Sequence, residues 1–299
     1  MSSVLEDLKN SFSRTSSGLN QIILINVVIF VMLIFLKVFL TISGFGEYYT
    51  LITNQLLLPA SIDQFIYKPW TLITYFFTHE GFFHIIFNML ALYWFGLLIT
   101  EFLGSRRLIS LFMFGGITGG LMYLLMYNTI PFFAEKAHFT ALLGASGGVY
   151  AVVVGAAVLL PDYTFFMLFL GPVKIKWIAA FYLLLSLAES IGPNAGGNLA
   201  HLGGAGLGAL YIWQLRKGND MGKPFESFYK FFKDLFQAKP KMTVTHRSNE
   251  KRKPNAFNPE NVSQDEIDSI LDKISKFGYE KLTKEEKQKL FKASQSTHI

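Results

Sequence analysis

Two side chains in this sequence could act together as a nucleophile and its base. Ser146 lies in a Gly-Ala-Ser-Gly turn at 144–147, and His201 lies just before a second glycine cluster. A serine hydroxyl becomes a useful nucleophile when a neighbouring base accepts its proton. A helix that begins at such a turn also leaves free N–H groups that could stabilise an oxyanion. The pair indicates acyl-transfer chemistry, although the serine motif alone is weak evidence in a chain with 25 glycines.

The Gly-x-Ser-x-Gly pattern around Ser146 also occurs in soluble α/β hydrolases, where a strand must precede the serine. Here a polar loop precedes Ser146 and an apolar helical segment follows it. The α/β hydrolase fold is therefore excluded.

Two further polar side chains, His84 and Asn88, lie within another apolar segment. They are four positions apart, so they share one face of a helix. Polar groups at membrane depth are costly, which makes each of them a candidate functional residue. One histidine or asparagine alone would fit an interhelical hydrogen bond, but two on one face favour a site.

Gly204 and Gly208 follow His201 at a spacing of four residues. Such a strip of small residues lets two membrane helices pack with their backbones close together. In one interpretation, the strip serves packing alone, with His201 beside it by chance. In the other, it brings the sixth helix against the fourth and so places His201 next to Ser146. Tyr150, one helical turn after Ser146, is placed to stack on the His201 ring. No aspartate lies near either residue in the sequence, so another kind of group must orient the base.

The elements that must position these residues are apolar helices. The chain has 299 residues, 51% hydrophobic and only 16% charged, with a mean hydropathy of +0.35. Soluble domains carry about a quarter of their residues as charged ones, so this composition indicates a membrane protein. The chain has no cysteine, which excludes a disulfide scaffold, a thiol nucleophile and thiolate metal sites. Six segments are long enough, or nearly so, to cross a bilayer: 22–42, 82–103, 108–127, 146–160, 177–187 with its flanks, and 199–215.

Charge separates the apolar region from a basic tail. Basic and acidic residues balance up to residue 215, so the entire net charge of +6 lies beyond it. We interpret this excess as attraction to an anionic inner leaflet of the lipid bilayer, and we expect no nucleic-acid partner. Lys and Arg also concentrate in alternate connections, on the side of both chain ends. Both termini are therefore predicted to be cytoplasmic.

These features divide the chain into four predicted parts. They are a cytoplasmic N-terminal segment (1–20), a six-helix core (21–215), a juxtamembrane amphipathic segment with a basic linker (216–262) and a small helical hairpin (263–299). In the hairpin, Ser263 and Glu266 form a predicted capping box. Gly278 ends the first helix, and Thr283 with Glu286 opens the second. The hairpin fits either a weakly interacting tail or a regulatory module whose cytoplasmic partner is unknown.

The ordered motifs resemble those of the rhomboid family of intramembrane serine proteases, of the bacterial six-helix type. The resemblance covers residues 20–215. Each motif is modest singly, but their order and their placement on these segments are specific. The residues that carry it are Trp70 in the first loop, His79, His84 and Asn88, then Gly144, Ser146, Gly147 and Tyr150, and finally Ala200, His201, Gly204 and Gly208.

The resemblance implies an all-α membrane protein, a six-transmembrane-helix rhomboid-like bundle with a C-terminal cytoplasmic helical tail. Ser146 and His201 would form a catalytic dyad in a water-filled cavity that opens to the extracytoplasmic side. His84, Asn88 and the backbone N–H of Ser146 would form the oxyanion hole. The implied activity is cleavage of single-pass transmembrane proteins in the bacterial inner membrane, with no cofactor and no metal ion. The loop 193–198, with the fifth helix, is the expected gate.

Two residues depart from the family's usual pattern. Thr71 follows Trp70 where family members commonly have arginine, which concerns the anchoring of the first loop. Glu101 stands ahead of a Gly-Ser turn at a spacing that is one residue short, and we treat it as structural.

Two other functions stay open on the sequence. One is a catalytically inactive relative that binds membrane helices for quality control, and the retention of Ser146 and His201 argues against it. The other is a transporter or proton channel that uses the intramembrane histidines. The sequence lacks the broken inverted repeats and paired intramembrane carboxylates that such proteins use.

Overall fold

The computed structural model describes residues 18–167, 171–223 and 264–296. The chain forms two compact units, Met1–Lys239 and Pro240–Ile299. The predicted amphipathic segment after residue 223 and the capping residue Ser263 lie outside the described residues.

Six long helices of the first unit occupy the six predicted apolar segments. Their bounds are α1 Gly18–Ile42, α2 Phe82–Leu103, α3 Ser105–Thr129, α4 Ser146–Leu159, α5 Ile175–Ala188 and α6 Ala195–Arg216. Gly104 separates α2 from α3 with a φ of 86°, a conformation that glycine adopts at little cost. Pro131 follows the end of α3 and Pro161 the end of α4, as expected of a residue that cannot donate a backbone hydrogen bond.

Three of these helices, α1, α2 and α3, are long and apolar enough to cross a membrane by length and composition. The fourth, α4, is a shorter apolar helix of 14 residues whose side chains are almost all buried. The described chain is thus a mostly helical membrane protein. The coarse fold class predicted from the sequence is confirmed at this level.

Glycines bring α4, α6 and α3 together at the centre of the unit. A Cβ atom added to Gly204 would overlap the carbonyl oxygen of Gly147, and one added to Gly208 would overlap that of Ala151. On the α3 side, a Cβ on Gly119 would lie 2.7 Å from the carbonyl oxygen of Ala200. The predicted packing of the sixth helix on the fourth through a glycine strip is confirmed.

The long connection between α1 and α2 is structured. It contains the short helices Gly46–Thr53, Ile62–Tyr67 and Thr71–Thr74, a 3-10 turn at Tyr75–Phe77 and the strand β1, Leu58–Pro59. Strand β1 pairs antiparallel with β2, Ala141–Leu142, which lies just before the Ser146 turn. Within the same connection, the backbone oxygen of Tyr75 accepts from the N–H of Gly144 (2.9 Å). The connection between α1 and α2 and the one between α3 and α4 therefore hold the start of α4 in place.

Between α4 and α5 the chain forms a small antiparallel hairpin that the sequence analysis did not predict. Its strands are β3, Thr164–Met167, and β4, Gly171–Lys174. Phe165 packs its ring against Phe95 of α2, with 5.2 Å between centroids. Asp162, just before the hairpin, binds both Lys176 (2.9 Å) and Lys174 (3.0 Å), and these two ammonium groups lower the pKa of its carboxyl to about 2.

The second unit is a pair of helices, α7 (Gln264–Phe277) and α8 (Lys284–Ser296). Gly278 ends α7 with a φ of 82°, as predicted. At the start of α8, the N–H of Thr283 donates to Glu286 Oε2 (2.8 Å) and the N–H of Glu286 donates to Thr283 Oγ1 (3.3 Å). These two bonds form a capping box, which confirms the predicted start of the second helix.

Candidate active site

Ser146 is the first residue of α4, directly after a turn that only glycine fits. Gly144 has a φ of 107°, and a Cβ atom on it would lie 2.7 Å from both Cε1 and Nε2 of His84. The backbone conformation and the imidazole thus each require glycine at this position. Ser146 itself is half-buried. The predicted proximity of His84 to the serine turn is therefore present in the structure.

The start of α4 presents backbone donors at this turn. The first intrahelical bond runs from the N–H of Val149 to the oxygen of Ala145 (3.0 Å). The N–H groups of residues 146–148 come before that bond, so they belong to the free donors of a helix start. Such donors can stabilise a negatively charged oxygen close to the Ser146 hydroxyl.

His201 lies on α6 and is held by aromatic stacking. Its ring lies 4.1 Å from the ring of Tyr150, with only 9° between the planes. Tyr150 is on α4, one turn after Ser146, so the stacking predicted from the spacing is confirmed. The backbones beside the two candidate residues also meet, because a Cβ on Gly147 would lie 3.6 Å from the oxygen of Ala200.

A serine that the sequence analysis did not single out contacts the histidine. Ser186 Oγ lies 3.1 Å from His201 Nδ1 and donates to the Tyr150 hydroxyl at 2.9 Å. Ser186 is only 1% exposed and lies on α5. The expectation that a group other than a carboxylate orients the base fits this contact. The sequence signal for this contact was a serine within a mostly apolar helix.

His79 and Asn88 lie around His84. The rings of His79 and His84 meet edge to face, 5.1 Å between centroids. His79 Nε2 accepts a hydrogen bond from the backbone N–H of Ala145 at 3.3 Å. Asn88 is buried, and its Nδ2 donates to the backbone oxygen of His84 at 3.0 Å. The structure therefore brings His79, His84 and the serine turn together, and places Asn88 one turn along α2.

Three further sequence-predicted residues make local contacts or lie on the surface: Trp70, Thr71 and Glu101. The indole Nε1 of Trp70 donates to the oxygen of Gln55 (2.8 Å), within the first connection. Thr71 is fully buried and its hydroxyl donates to the oxygen of Lys68 (2.6 Å), so the position that is commonly arginine carries a local hydrogen bond here. Glu101 is exposed near the end of α2.

Within the ranges that the structure describes, no group of three or more histidine, aspartate or glutamate side chains is arranged to hold a metal ion.

A family model for the rhomboid domain matches residues 67–218, which is half of the chain. This range includes the serine turn, the candidate residues His79, His84 and His201, and α6. The chain therefore belongs to the rhomboid family. A second model, described as a family of unknown function (DUF6576), matches residues 243–296, where the second unit lies.

Curated relatives carry rhomboid names. RHOMBOID-like protein 12, mitochondrial, of Arabidopsis thaliana is 35% identical over 159 residues, which is 50% of this chain and 47% of that protein. Rhomboid protein 1, mitochondrial, of Saccharomyces cerevisiae is 34% identical over 151 residues, covering 47% and 40%. Inactive RHOMBOID-like protein 8 of Arabidopsis thaliana is 30% identical over 79 residues, covering 26% and 22%. The chain thus matches about half or less of the length of these relatives.

Proposed function

We propose that this rhomboid family member is an intramembrane serine endopeptidase that cleaves single-pass transmembrane proteins. The observation that carries the proposal is the fixed imidazole of His201, stacked on Tyr150 of the helix whose first residue is Ser146. A nucleophile at a helix start and a rigid base on the adjacent helix are the two parts that acyl transfer needs. Membership of the family supports the same activity.

The reaction has two steps, acylation of Ser146 and hydrolysis of the acyl ester. His201 accepts the Ser146 proton while Oγ attacks the scissile carbonyl carbon, and the resulting oxyanion intermediate expels the amine, which takes the proton from His201. Water then gives a proton to His201 and attacks the acyl ester. The ester bond breaks, and the serine oxygen takes the proton back.

The oxyanion hole consists of the Ser146 N–H with the side chains of His84 and Asn88. The closeness of the His84 ring to Gly144 supports this role, as does the position of Ser146 before the first intrahelical bond. Asn88 has one amide hydrogen engaged with the His84 oxygen, and its second hydrogen is the one offered to an intermediate. Losing one such donor lowers turnover by about 10²–10³ in serine proteases.

All six long helices belong to the membrane domain in this proposal, and both chain ends lie on the side rich in Lys and Arg. The start of α4 lies below the membrane surface, which is tolerable because Ala145 and Gly144 are covered by protein. Two of the relatives carry mitochondrial names, so they give no support to the bacterial inner membrane predicted from the sequence. The proposal therefore concerns the topology and leaves the compartment open.

The gate consists of α5 with the connection to α6. Phe181, Leu184 and Leu187 on α5 are exposed apolar side chains that suit contact with lipid or with a substrate helix. Asn198 links the start of α6 to the connection that precedes it. Its Nδ2 donates to the backbone oxygens of Glu189 (2.9 Å) and Asn194 (3.1 Å). A substrate helix must unwind locally to expose a carbonyl that is otherwise hydrogen-bonded within the helix.

The test is cleavage of a model transmembrane substrate by the purified full chain in detergent. Ser146→Ala and His201→Ala each lower kcat/KM by at least about 10³-fold. Ser110→Ala is the matched control, because Ser110 is a buried serine that binds Tyr211 (2.8 Å) in a contact between α3 and α6. It keeps activity within a few-fold. Cleavage that persists in Ser146→Ala overturns the dyad.

The second candidate is a protein that binds membrane helices without cleaving them, and the relative named inactive favours keeping it. The same samples decide between the two. A binder retains the intact substrate in every variant, and Ser146 does not react with a fluorophosphonate probe. A protease reacts with the probe at Ser146, and the His201→Ala variant reacts much more slowly.

A further inference from the structure

Ser186 joins three helices at the candidate base. Its Oγ lies between the Tyr150 hydroxyl (2.9 Å) on α4 and His201 Nδ1 (3.1 Å) on α6, while Ser186 itself is on α5. The side chain is almost fully buried, with 1% of its surface exposed. A buried hydroxyl with two polar partners at these distances has a defined orientation.

The hydrogen bond with Tyr150 determines what Ser186 offers to the histidine. The Ser186 hydroxyl donates its only hydrogen to the tyrosine oxygen, so its lone pair is left to accept from the imidazole. An accepting group at Nδ1 requires the proton to sit on Nδ1. The neutral imidazole then has a free lone pair on Nε2, which is the atom that can accept a proton from a serine.

We propose that Ser186 is a positioning residue that holds His201 in the Nδ1–H tautomer and keeps its ring on Tyr150, the role that a carboxylate has in soluble serine proteases. This proposal rests on the proposed function above. A hydroxyl suits this place better than a carboxylate does, because burying an ionised group at membrane depth costs far more than burying a hydroxyl with partners.

A simpler explanation is that Ser186 only fastens α5 to its neighbours. The pair Ser110 and Tyr211 shows this simpler arrangement, a buried serine bonded to a tyrosine at 2.8 Å. The two serines differ in their second partner, which is the His201 imidazole for Ser186 and the backbone oxygen of Arg107 (3.1 Å) for Ser110. Comparing Ser186→Ala with Ser110→Ala therefore separates the loss of a buried serine–tyrosine bond from the loss of contact with the base.

The kinetic test uses the full chain in detergent with a model transmembrane substrate. Ser186→Ala lowers kcat by about 10- to 100-fold, the range for losing a hydrogen bond to a group that becomes charged, and leaves KM within about two-fold. Ser186→Thr keeps a hydroxyl and recovers most of the lost kcat. Ser110→Ala lowers thermal stability by a similar amount to Ser186→Ala but changes kcat by about two-fold at most.

A second measurement does not depend on cleavage. In the protein labelled with ¹⁵N-histidine, the His201 signals are assigned by their loss in His201→Ala, and their shifts report which ring nitrogen carries the proton. The expected result is Nδ1–H in the unchanged protein and a mixture of tautomers in Ser186→Ala, with Nδ1–H restored in Ser186→Thr.

Three results overturn the positioning role: Nε2–H in the unchanged protein, the same tautomer in Ser186→Ala, or a loss of kcat in Ser186→Ala no larger than that in Ser110→Ala. A failure of the proposed function would give a different set of results. In that case no form of the protein cleaves substrate or reacts with a fluorophosphonate at Ser146, while the tautomer measurement still decides whether Ser186 fixes the imidazole.

Discussion

The helices of the two units are held together by different kinds of contact. In the first unit, α4 and α6 meet through glycines, with Gly204 against the Gly147 backbone and Gly208 against that of Ala151. In the second unit, α7 and α8 are joined by ion pairs, Lys273 with Glu286 (2.7 Å) and Lys289 with Glu266 (3.3 Å).

The contrast matches the two ways in which helices associate, in lipid and in water. In a bilayer, apolar surface gains nothing by leaving lipid for protein, so association depends on close packing, and small residues allow the closest approach. In water, a short helical pair gains from an apolar stripe, from capped helix ends and from charges on its rim. Ile270 and Leu282, buried in the second unit, belong to such an apolar interior.

The largest expected effect is at the glycine contact of the first unit. In Gly204→Ala, the new Cβ overlaps the Gly147 carbonyl oxygen, which is backbone and cannot rotate away. We expect a loss of about 3 kcal/mol in the stability of the first unit, together with loss of substrate cleavage. Thermal unfolding in detergent and cleavage of a model substrate measure both.

Gly206→Ala is the matched control for this change. It lies on the same helix, and a Cβ there has no atom within 4 Å. Its stability should stay equal or rise slightly, because alanine favours a helix more than glycine does. If Gly204→Ala is as stable as Gly206→Ala, close backbone packing does not hold the first unit together.

The next effect is confined to the serine turn. Gly144→Ala forces a residue with a Cβ into a φ of 107° and drives that Cβ to within 2.7 Å of the His84 ring. We expect cleavage to fall by about 10²-fold or more, since the oxyanion donors move. Gly81→Ala is the control, because Gly81 has a φ of 90° and open space around it. Equal losses in both variants would attribute the effect to backbone strain alone.

The glycine strip and the stacked histidine could be predicted from the sequence because both depend on regular helical spacing. Once two segments are helical, residues four apart share a face, and this places Gly204 with Gly208 and Tyr150 one turn after Ser146. The capping box at Thr283 was predictable for the same reason, since its bonds span only three residues.

Other features depend on contacts between distant segments and left no such periodic signal. Ser186 is a serine in a mostly apolar helix, and it contacts Tyr150 and His201 only because α5 packs beside α4 and α6. The pairing of Leu58 with Leu142 joins two-residue strands from separate connections, too short for an alternating pattern. The hairpin of β3 and β4 was likewise missed, because strands of only four residues are too short to be recognised by periodicity.

A smaller effect is expected at the capping box of the second unit. Thr283→Ala removes the oxygen that accepts from the Glu286 N–H, at a cost of about 1 kcal/mol. Hydrogen–deuterium exchange of peptides within 264–296, measured in the whole chain, should show lower protection. Substrate cleavage should not change. A parallel fall in cleavage would contradict this prediction and would show that the Thr283 cap also matters for activity.

The smallest effect is at the ion pair of the second unit, and pH reveals it. Two hydrogen bonds lower the pKa of Glu286 below its ordinary value of 4.5. The larger effect comes from Lys273 and the smaller from the backbone N–H of Thr283. A carboxylate with a lowered pKa stabilises the folded unit at any pH above its unfolded pKa, and this contribution is lost as the pH falls through the lower, folded pKa. Protection of 264–296, corrected for intrinsic exchange, should therefore decline below about pH 4.5 in the unchanged protein.

Glu286→Gln isolates the charge from the cap, because a glutamine oxygen can still accept from the Thr283 N–H. In this variant the acid-dependent decline should shrink, and the loss of protection at neutral pH should be smaller than in Thr283→Ala, since exposed ion pairs are weak and screened by salt. Glu285→Gln, which neutralises the neighbouring carboxylate on the same turn, should keep the decline. If Glu285→Gln instead removes it, the acid sensitivity belongs to the general charge of α8 and not to the pair that joins the two helices.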